Sequence, residues 1–462
     1  MEEVAPAPTG DHASADHDEH RAPAPWAVLP FVVLLGLIAA GPLFFEHFWH
    51  RNYPVVAVSL GLLVVLYYVF GLHNAHQPVH ALAEYVQFIA LLSSLYVASG
   101  GIMIRINRAG TPGANAVLLA VGAVVANLIG TTGASMLLIR PFLRLNARRL
   151  RAYHVVFFIF VVSNVGGALT PVGDPPLFLG FLKGVPFFWS LQHNLLPWVL
   201  GVVVLLGVFW AIDRRNPAPP ADAPEPVADR PTVVVEGKRN FLWLAVIIAA
   251  VFVDPTVFDW VPGFTYDGQK FSFVRETIMF TVVFLSYRFA DRDALRGNEF
   301  HFEPIREVGF LFIGIFGTMM PALELVGGYA GSEAGAALVT RHTLYWATGL
   351  LSGVLDNAPT YLNFLAAAVA AQGGSINEIE EVRRFAAGGY ANSVVQLTAI
   401  SVAAVFFGAM TYIGNGPNFM VRAIAEQNGL RMPSFFGYII RYAVPYLLPV
   451  LGLVYLVFFL FG

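Results

Sequence analysis

The chain has 462 residues, of which 57% are hydrophobic and 12% are charged, with a mean hydropathy of +0.65. Soluble domains carry about 25% charged residues, so this composition predicts a membrane protein embedded in a lipid bilayer. The net charge of −3 provides no basic surface for nucleic acid, and the absence of cysteine excludes disulfides and thiolate chemistry.

The N-terminal segment, 1–25, lacks the basic start and apolar core of a cleavable signal peptide. Its mixed acids and histidines, as in DHASADHDEH, predict a disordered tail outside the cytoplasm. The region that follows, 26–212, is predicted to be the first of two repeats. A window of about 20 residues divides it into apolar segments near 26–45, 53–72, 82–104, 114–142, 152–182 and 194–212.

A stretch rich in proline and charge, 213–238, follows the first repeat. This composition predicts a solvated cytoplasmic linker between two halves of the protein. The second predicted repeat, 239–462, again divides into apolar segments, which lie near 240–256, 274–290, 308–330, 342–372, 387–424 and 435–461.

The two regions resemble each other in sequence. EYVQFIALL in the first matches EVGFLFIGI in the second, and GALTPVGDPP matches GAMTYIGNGP, which places Asp174 opposite Asn415. Between these pairs, IGTTGAS aligns with LDNAPT and places Thr131 opposite Asp356. Three matches in the same order and at near-constant spacing predict a duplication.

Four long apolar segments are interrupted. The segments 114–142 and 342–372 contain NLIGTTGAS and SGVLDNAPT, breaks that predict hairpins entering and leaving the bilayer on one side. The segments 152–182 and 387–424 carry Gly, Thr and Pro half-way, which predicts discontinuous helices at the midplane. The predicted fold is an all-α polytopic membrane protein whose repeats each have about five transmembrane helices, one re-entrant hairpin and one discontinuous helix. Because five is odd, the second repeat is inverted.

The positions of Lys and Arg predict the orientation of the chain. With the N-terminus outside, roughly three quarters of the 27 Lys and Arg residues lie on the cytoplasmic side. Both termini are then extracytoplasmic, in the inner membrane of a bacterium. The first hairpin opens to the cytoplasm and the second to the exterior.

The motif SNVGGALTPVGDPPLFLGFL, from Ser163 to Leu182, resembles the signature of D-type sodium/proton antiporters of the ion transporter superfamily. SGVLDNAP and GAMTYIGNGPN resemble the second-half motifs of that family, and the similarity covers residues 50–460. Arsenite efflux pumps and citrate or dicarboxylate carriers are relatives. In the dicarboxylate carriers a Ser-Asn-Thr triplet at each hairpin tip helps to bind substrate carboxylates and sodium, whereas the tips here read GTTG and LDNAP. The resemblance implies a homodimer.

By pseudo-symmetry, Thr131, Asp174, Asp356 and Asn415 are expected to meet near the bilayer centre, with no Lys or Arg in the motifs. A carboxylate there costs roughly 2.5–3.5 kcal/mol on insertion scales. We therefore expect Asp356, and secondarily Asp174, to hold a proton or Na⁺ (or Li⁺) in turn, and an anion to be repelled. The expected oxygen ligands are Asn127, Thr131, Thr132, Asn164, Thr170, Asn357, Thr411 and Asn415. Alternatively, the two aspartates only cap the helices that follow them.

Four other polar residues have two interpretations each. Glu84 and Glu307 begin equivalent helices, where a helix-dipole or interface role is expected before a proton relay. Glu324 lies in an apolar helix as a relay or a rim residue. His154 is expected at the surface, with pH sensing as the alternative.

The sequence thus predicts a secondary transporter that exchanges Na⁺ or Li⁺ for H⁺ by alternating access, with no cofactor. The alternative is a citrate, dicarboxylate or arsenite transporter of the same superfamily. No phosphate-binding loop is present, so ATP is not expected to drive transport. An intramembrane enzyme is the remaining class, and no paired-histidine metal motif or nucleophile–base arrangement supports it.

Overall fold

The structure, a computed structural model, describes residues 22–107, 110–216, 232–255, 258, 260–266 and 269–461. Most of the predicted tail, 1–25, and most of the predicted linker lie outside these residues. The described part is almost entirely helical, as predicted, and has two small two-stranded sheets.

The helices before the linker follow the predicted apolar segments. The Thr111 hydroxyl caps the fourth by accepting the N–H of Ala114 at 3.2 Å, just before Pro112. A π-helical turn, Tyr67–Gly71, extends the second. In chain order these helices are α1 (Leu29–Phe44), α2 (Glu46–Leu66), α3 (His76–Gly100), α4 (Pro112–Leu145), α5 (Ala152–Val161), α6 (Pro175–Leu182) and α7 (Trp189–Asp213).

The helices after the linker again coincide with the predicted segments, and short helices lie between them. The last two are joined by a π-helical stretch, Ile439–Leu447, into one rod. In chain order they are α8 (Arg239–Val251), α9 (Val274–Arg288), α10 (Arg292–Gly297), α11 (Glu303–Ala330), α12 (Glu333–Ala336), α13 (Arg341–Ser352), α14 (Asn357–Ala370), α15 (Ile379–Ala386), α16 (Ser393–Phe407), α17 (Gly416–Gln427), α18 (Phe435–Tyr438) and α19 (Leu448–Phe458).

Seven helical stretches within the described residues are long and apolar enough to cross a bilayer. Their outer faces carry large exposed apolar side chains, such as Leu62, Val203 and Ile440, which a lipid environment accommodates and water does not. The chain is therefore a multi-pass membrane protein, as predicted. The stretches are His47–Gly71, His76–Gly100, Pro112–Leu145, Trp189–Asp213, Glu303–Ala330, Ser393–Met410 and Phe435–Phe458.

Helix α4 reverses direction at Gly130. This residue has φ of +77°, in the left-handed region that glycine adopts without a steric cost. Asn115 and Asn146, at opposite ends of α4, exchange two side-chain hydrogen bonds of 2.8 Å. Along a straight helix these two residues would lie about 45 Å apart, so the two arms of α4 fold back on each other.

The second predicted break separates α13 from α14. The Ser352 hydroxyl at the end of α13 donates to the carbonyl oxygen of Ala404 at 2.6 Å, which attaches this end to α16. Asp356 caps the start of α14 by accepting the N–H of Ala358 at 3.0 Å. Both interruptions of the long apolar segments are thus present where small and polar residues predict them.

The two discontinuous segments fold alike. In the first, between α5 and α6, the N–H of Gly173 donates to the Thr170 hydroxyl at 3.1 Å. In the second, between α16 and α17, the N–H of Gly414 donates to the Thr411 hydroxyl at 3.2 Å. The repeated phrase of the sequence therefore encodes the same local turn twice.

The linker prediction needs a correction at both ends. The segment Thr232–Glu236 forms β2, which pairs antiparallel with β1 (Met103–Asn107) between α3 and α4. Its β-branched run TVVVE favours a strand, a local signal that the composition of the whole linker obscures. At the other end Asp213 is fully buried at the end of α7. The second sheet pairs β3 (Phe264–Tyr266) with β4 (Gln269–Phe271).

The most buried helices lead into the discontinuous segments. Residues Val155 to Val161 of α5 and Leu397 to Phe407 of α16 are all buried. Helix α11 packs against α2, α3 and α14, and so connects the two halves. The two discontinuous segments are themselves mostly buried.

Candidate functional site

Asp174 is the centre of a buried hydrogen-bond cluster. The residue is 1% exposed, and its Oδ1 accepts hydrogen bonds from Thr131 Oγ1 at 2.7 Å and Asn415 Nδ2 at 2.9 Å. Its Oδ2 accepts a third from Asn357 Nδ2 at 2.6 Å. The donors come from the reversal of α4, the turn before α17 and the first residue of α14. The structure therefore brings four of the predicted residues into direct contact.

The hydrogen-bond donors around Asp174 are electrically neutral. All three donors are amides or hydroxyls, and within the described residues no Lys or Arg forms an ion pair with this carboxylate. Hydrogen bonds from neutral donors offset part of the cost of burying a charge. The negative charge itself is left for a proton or a cation to neutralise.

Four helical starts meet around the same carboxylate. Asp174 precedes α6, Asn415 precedes α17, Asn357 begins α14, and Thr131 begins the second arm of α4. The N-terminus of a helix carries a partial positive charge, which falls off within about one turn. These ends therefore create a positive field where the sequence predicts no cationic side chain.

The two aspartates differ in what their side chains do. Asp174 makes no side-chain capping bond to α6, so the interpretation of this residue as a mere helix cap is wrong. Asp356 does cap α14, through Oδ1 and the N–H of Ala358, and is partly exposed. The structure thus centres the cluster on Asp174, whereas the sequence places Asp356 first. The ion-binding role of Asp356 stays a prediction.

Other predicted ligands hold the backbone of the site. Asn127 binds the carbonyls of Ala123 and Gly166 through Nδ2 and the N–H of Leu169 through Oδ1, which attaches the first discontinuous segment to α4. The Thr170 hydroxyl donates to the carbonyl of Asn127 at 2.6 Å.

The Thr411 hydroxyl accepts backbone N–H groups of its own turn. Thr132 is half-buried beside Thr131 and is not one of the donors to Asp174. Like Thr170, these two residues are close to the cluster in the chain but do not contact its carboxylate.

The family model described as "Putative citrate transport" matches residues 20–459. The chain belongs to the citrate transport family. No curated protein matches the sequence. The family match identifies the protein as a membrane transporter and not an enzyme. It also favours the citrate alternative over the sodium/proton antiporter that the sequence motifs resemble.

Asn418, within the motif GAMTYIGNGPN, is a further buried polar residue of the transporter and is not among the predicted ligands. Asn418 is fully buried and donates through Nδ2 to the carbonyls of Gly408 and Thr411. Its Oδ1 accepts Asn164 Nδ2 at 2.7 Å, which connects the two discontinuous segments. Its place in the motif GNGPN, one helical turn after Asn415, is the signal that identifies it.

Two amide oxygens of the transporter's site have no hydrogen-bond partner within the described residues, Asn164 Oδ1 and Asn357 Oδ1. A Cβ built on Gly408 would lie 2.9 Å from Asn164 Oδ1 and 3.4 Å from Asn357 Nδ2, so the two amides flank one point. Buried acceptors without partners are rare in proteins. Amide and carboxylate oxygens are the ligand types that hard cations prefer.

A second buried polar cluster of the transporter lies where the arms of α4 begin and end. Asp213 accepts hydrogen bonds from Arg149 at 2.6 Å, Tyr153 at 2.6 Å and Asn115 at 2.9 Å. His154 is fully buried, with Nε2 3.1 Å from Asp213 Oδ1. The expectation of a surface histidine is therefore wrong, because the end of α7 covers the start of α5.

Proposed function

We propose that the protein is a secondary transporter of citrate or a similar polycarboxylate, coupled to a cation that binds at Asp174. The family match supports the substrate class. The observation that carries the coupling is the buried Asp174 carboxylate, held by three neutral donors from different segments. A carboxylate in this state favours Na⁺ or H⁺ as a partner.

The same site reconciles an anionic substrate with a buried aspartate. The motifs carry no Lys or Arg, so the side chains alone would repel an anion, but the helix ends add positive charge. Four helical starts around Asp174 give a positive field, and a bound cation removes the negative charge of the aspartate. A substrate carboxylate then approaches a site that is electrostatically favourable.

The ligands of the coupling cation follow from the same contacts. We propose that Asp174, Asn164 and Asn357 bind it through their side-chain oxygens, since the two amide oxygens are buried and have no hydrogen-bond partner in the part of the chain that the structure describes. Thr131 and Asn415 keep the carboxylate in place through their hydrogen bonds. A proton on Asp174 is the alternative occupant of this position.

The architecture proposed from the sequence fits this mechanism. We propose two inverted repeats, each with a re-entrant hairpin, α4 in the first and α13–α14 in the second. The reversal at Gly130 and the matching turns at Thr170 and Thr411 support this proposal. Alternating access would expose the site on either side of a bacterial inner membrane, in a homodimer whose termini are extracytoplasmic.

A second candidate function is exchange of Na⁺ or Li⁺ for H⁺ at the same carboxylate. The tips GTTG and LDNAP favour it, because they lack the Ser-Asn-Thr triplets of dicarboxylate carriers. Both candidates place a cation at Asp174. They differ in whether a carboxylate substrate crosses the membrane with it.

Transport by purified protein in liposomes separates the two candidates. Uptake of radiolabelled citrate is measured under an inward Na⁺ gradient, an inward H⁺ gradient and no gradient, with an internal pH dye in parallel. Gradient-driven citrate uptake that Asp174→Asn abolishes is expected. If no gradient drives citrate uptake, yet Na⁺ or Li⁺ dissipates a pH gradient, the citrate proposal is wrong and antiport replaces it.

A further inference from the structure

Helix α6 is held by polar contacts at both ends. Asp174 precedes its first residue, and Lys183 follows its last. Eight residues of α-helix span about 12 Å, so a displacement of Lys183 along the axis is transmitted to Asp174. What binds Lys183 therefore influences where Asp174 lies.

Lys183 forms a buried ion pair with α3. Its Nζ lies 2.6 Å from Glu84 Oε1, and the two side chains are only 10% and 18% exposed. Nζ also donates to Asn377 Oδ1, between α14 and α15, at 3.4 Å. Glu84 lies within α3 and not at its start, so the expected place at a helix start is wrong, and its interface role stays a prediction that this pair supports. Losing either charge removes the ion-pair partner of the other.

The contacts of α6 with the second half are of a different kind. A Cβ on Gly180 would lie 2.4 Å from the hydroxyl oxygen of Tyr361, and one on Gly184 would lie 2.8 Å from the carbonyl oxygen of Ile379. Such close packing leaves α6 little room to move relative to α14 and α15. Towards α3, by contrast, the rings of Phe88 and Phe178 are 6.5 Å apart between centroids, a contact without the directionality of an ion pair.

A cleft borders the ion pair. It is lined by Gln77, His80, Glu84 and Lys183 together with Glu324 of α11 and Asn377. Tyr68 donates to Glu324 at 2.9 Å, which joins this glutamate to the end of α2. The cleft marks the boundary between α6 and the helices α3 and α11.

From these contacts we infer that Lys183 is a positioning residue for transport. Its pair with Glu84 fixes α6, and with it Asp174, against α3 in the conformation described here. The pair breaks when α6 is displaced together with α14 and α15. This inference rests on the proposed transport function for its consequence, but the pair itself can be tested without a substrate.

The natural absence of cysteine makes that test direct. Ala81 lies one turn from Glu84 on the cleft wall and is 8% exposed, so Ala81→Cys introduces a single thiol that the closed cleft protects. In this background, Glu84→Gln and Lys183→Met are expected to raise the rate of maleimide labelling by roughly tenfold. Glu380→Gln, which removes an exposed ion pair with Arg383, is the control and is expected to leave the rate unchanged.

Two further variants distinguish positioning from general loosening. The exchanged pair Glu84→Lys with Lys183→Glu, and the conservative Lys183→Arg, are expected to return labelling to within about twofold of the parent. If Glu84→Gln does not elute as a monodisperse protein, Glu84→Asp, which keeps the charge and shortens its reach, takes its place. Equal labelling of the parent, Glu84→Gln and Lys183→Met would overturn the inference, as would an exchanged pair that labels as fast as the single variants.

Transport kinetics test whether the Lys183–Glu84 pair affects substrate binding. If fewer molecules adopt the conformation with an assembled site, the apparent affinity falls in proportion. We expect KM for citrate to rise several-fold in Glu84→Gln, with kcat within about twofold of the parent. A fall in kcat alone, with KM unchanged, would contradict a positioning role. Failure of the parent to transport citrate would refute the proposed function. The labelling result would still show whether the ion pair keeps the cleft closed.

Discussion

Asn357 Nδ2 lies 2.6 Å from Asp174 Oδ2, although the two residues are 183 positions apart in the chain. Asn357 belongs to the second half and Asp174 to the first, so the cluster exists only when the halves are packed together. Asn415 adds a second bond across the same boundary at 2.9 Å. Coupling between the halves is therefore built into the geometry of the site.

Asp174→Asn should abolish coupled transport. The amide keeps the size of the side chain but removes the charge that a cation neutralises. We expect citrate uptake to fall about 100-fold, which corresponds to roughly 3 kcal/mol, in liposomes with a matched amount of protein.

Asp356→Asn is the matched control for this prediction. Asparagine caps a helix as well as aspartate does, so the bond to the N–H of Ala358 is retained and uptake should stay within about tenfold of the parent. A larger loss in Asp356→Asn than in Asp174→Asn would show that the residue ranked first from the sequence is the ion-binding one.

Asn415→Ala should weaken cation binding without abolishing it. The change removes one of three hydrogen bonds to Asp174, and a bond to a charged group is worth about 1.5–3 kcal/mol. We expect the Na⁺ concentration for half-maximal uptake to rise about tenfold or more. Asn428 is an exposed residue just after α17, the helix that Asn415 precedes. As the control, Asn428→Ala should leave that concentration unchanged.

Gly173→Ala and Gly414→Ala should both destabilise the protein. A Cβ would lie 2.2 Å from the carbonyl oxygen of Gly167 in the first turn and 2.6 Å from that of Gly408 in the second. Because these neighbours are backbone atoms, relief requires the turn to shift, at a cost of about 1–3 kcal/mol.

Thermal unfolding in detergent, followed by size-exclusion fluorescence, measures this effect as a lowered Tm. Gly416→Ala is the control, because nothing lies within 4 Å of a Cβ at that position. Equal Tm values for Gly414→Ala and Gly416→Ala would mean that the second turn is looser than the structure has it.

Asp213→Asn should lower stability more than the loss of an exposed ion pair does. It leaves Arg149 buried and without its counter-charge, which costs about 3–5 kcal/mol when one partner of a buried pair is removed. Glu426→Gln, which removes a partly exposed pair with Arg422, should cost less than about 1 kcal/mol. Unfolding in mixed micelles with increasing SDS compares the two free energies.

Several features of the site are local and could be predicted from the sequence. Glycine and proline interrupt long apolar segments at Gly130 and before α6 and α17, and the backbone responds where those residues occur. The repeated phrase likewise indicates the same turn twice. These predictions depend on neighbouring residues only.

The ranking of the two aspartates could not be predicted this way. Asp174 and Asp356 both precede helices that contain proline near the start, so their local sequences are equivalent as caps. What separates them is the set of side chains that packing brings within 3 Å of each carboxylate. Asn418 and Lys183 were missed as partners for the same reason, since Asn164 and Glu84 are remote from them in the chain.

The sequence by itself determined that this protein is a helical membrane protein whose long apolar segments are interrupted at defined points, because hydropathy, glycine and proline act over a few residues and need no partner. Only the tertiary structure decided that Asp174 is the centre of a buried hydrogen-bond cluster, that His154 is buried and that α6 is bound at both ends. These properties arise from contacts between residues that are 43 to 241 positions apart in the chain, and such contacts are set by the packing of the whole chain.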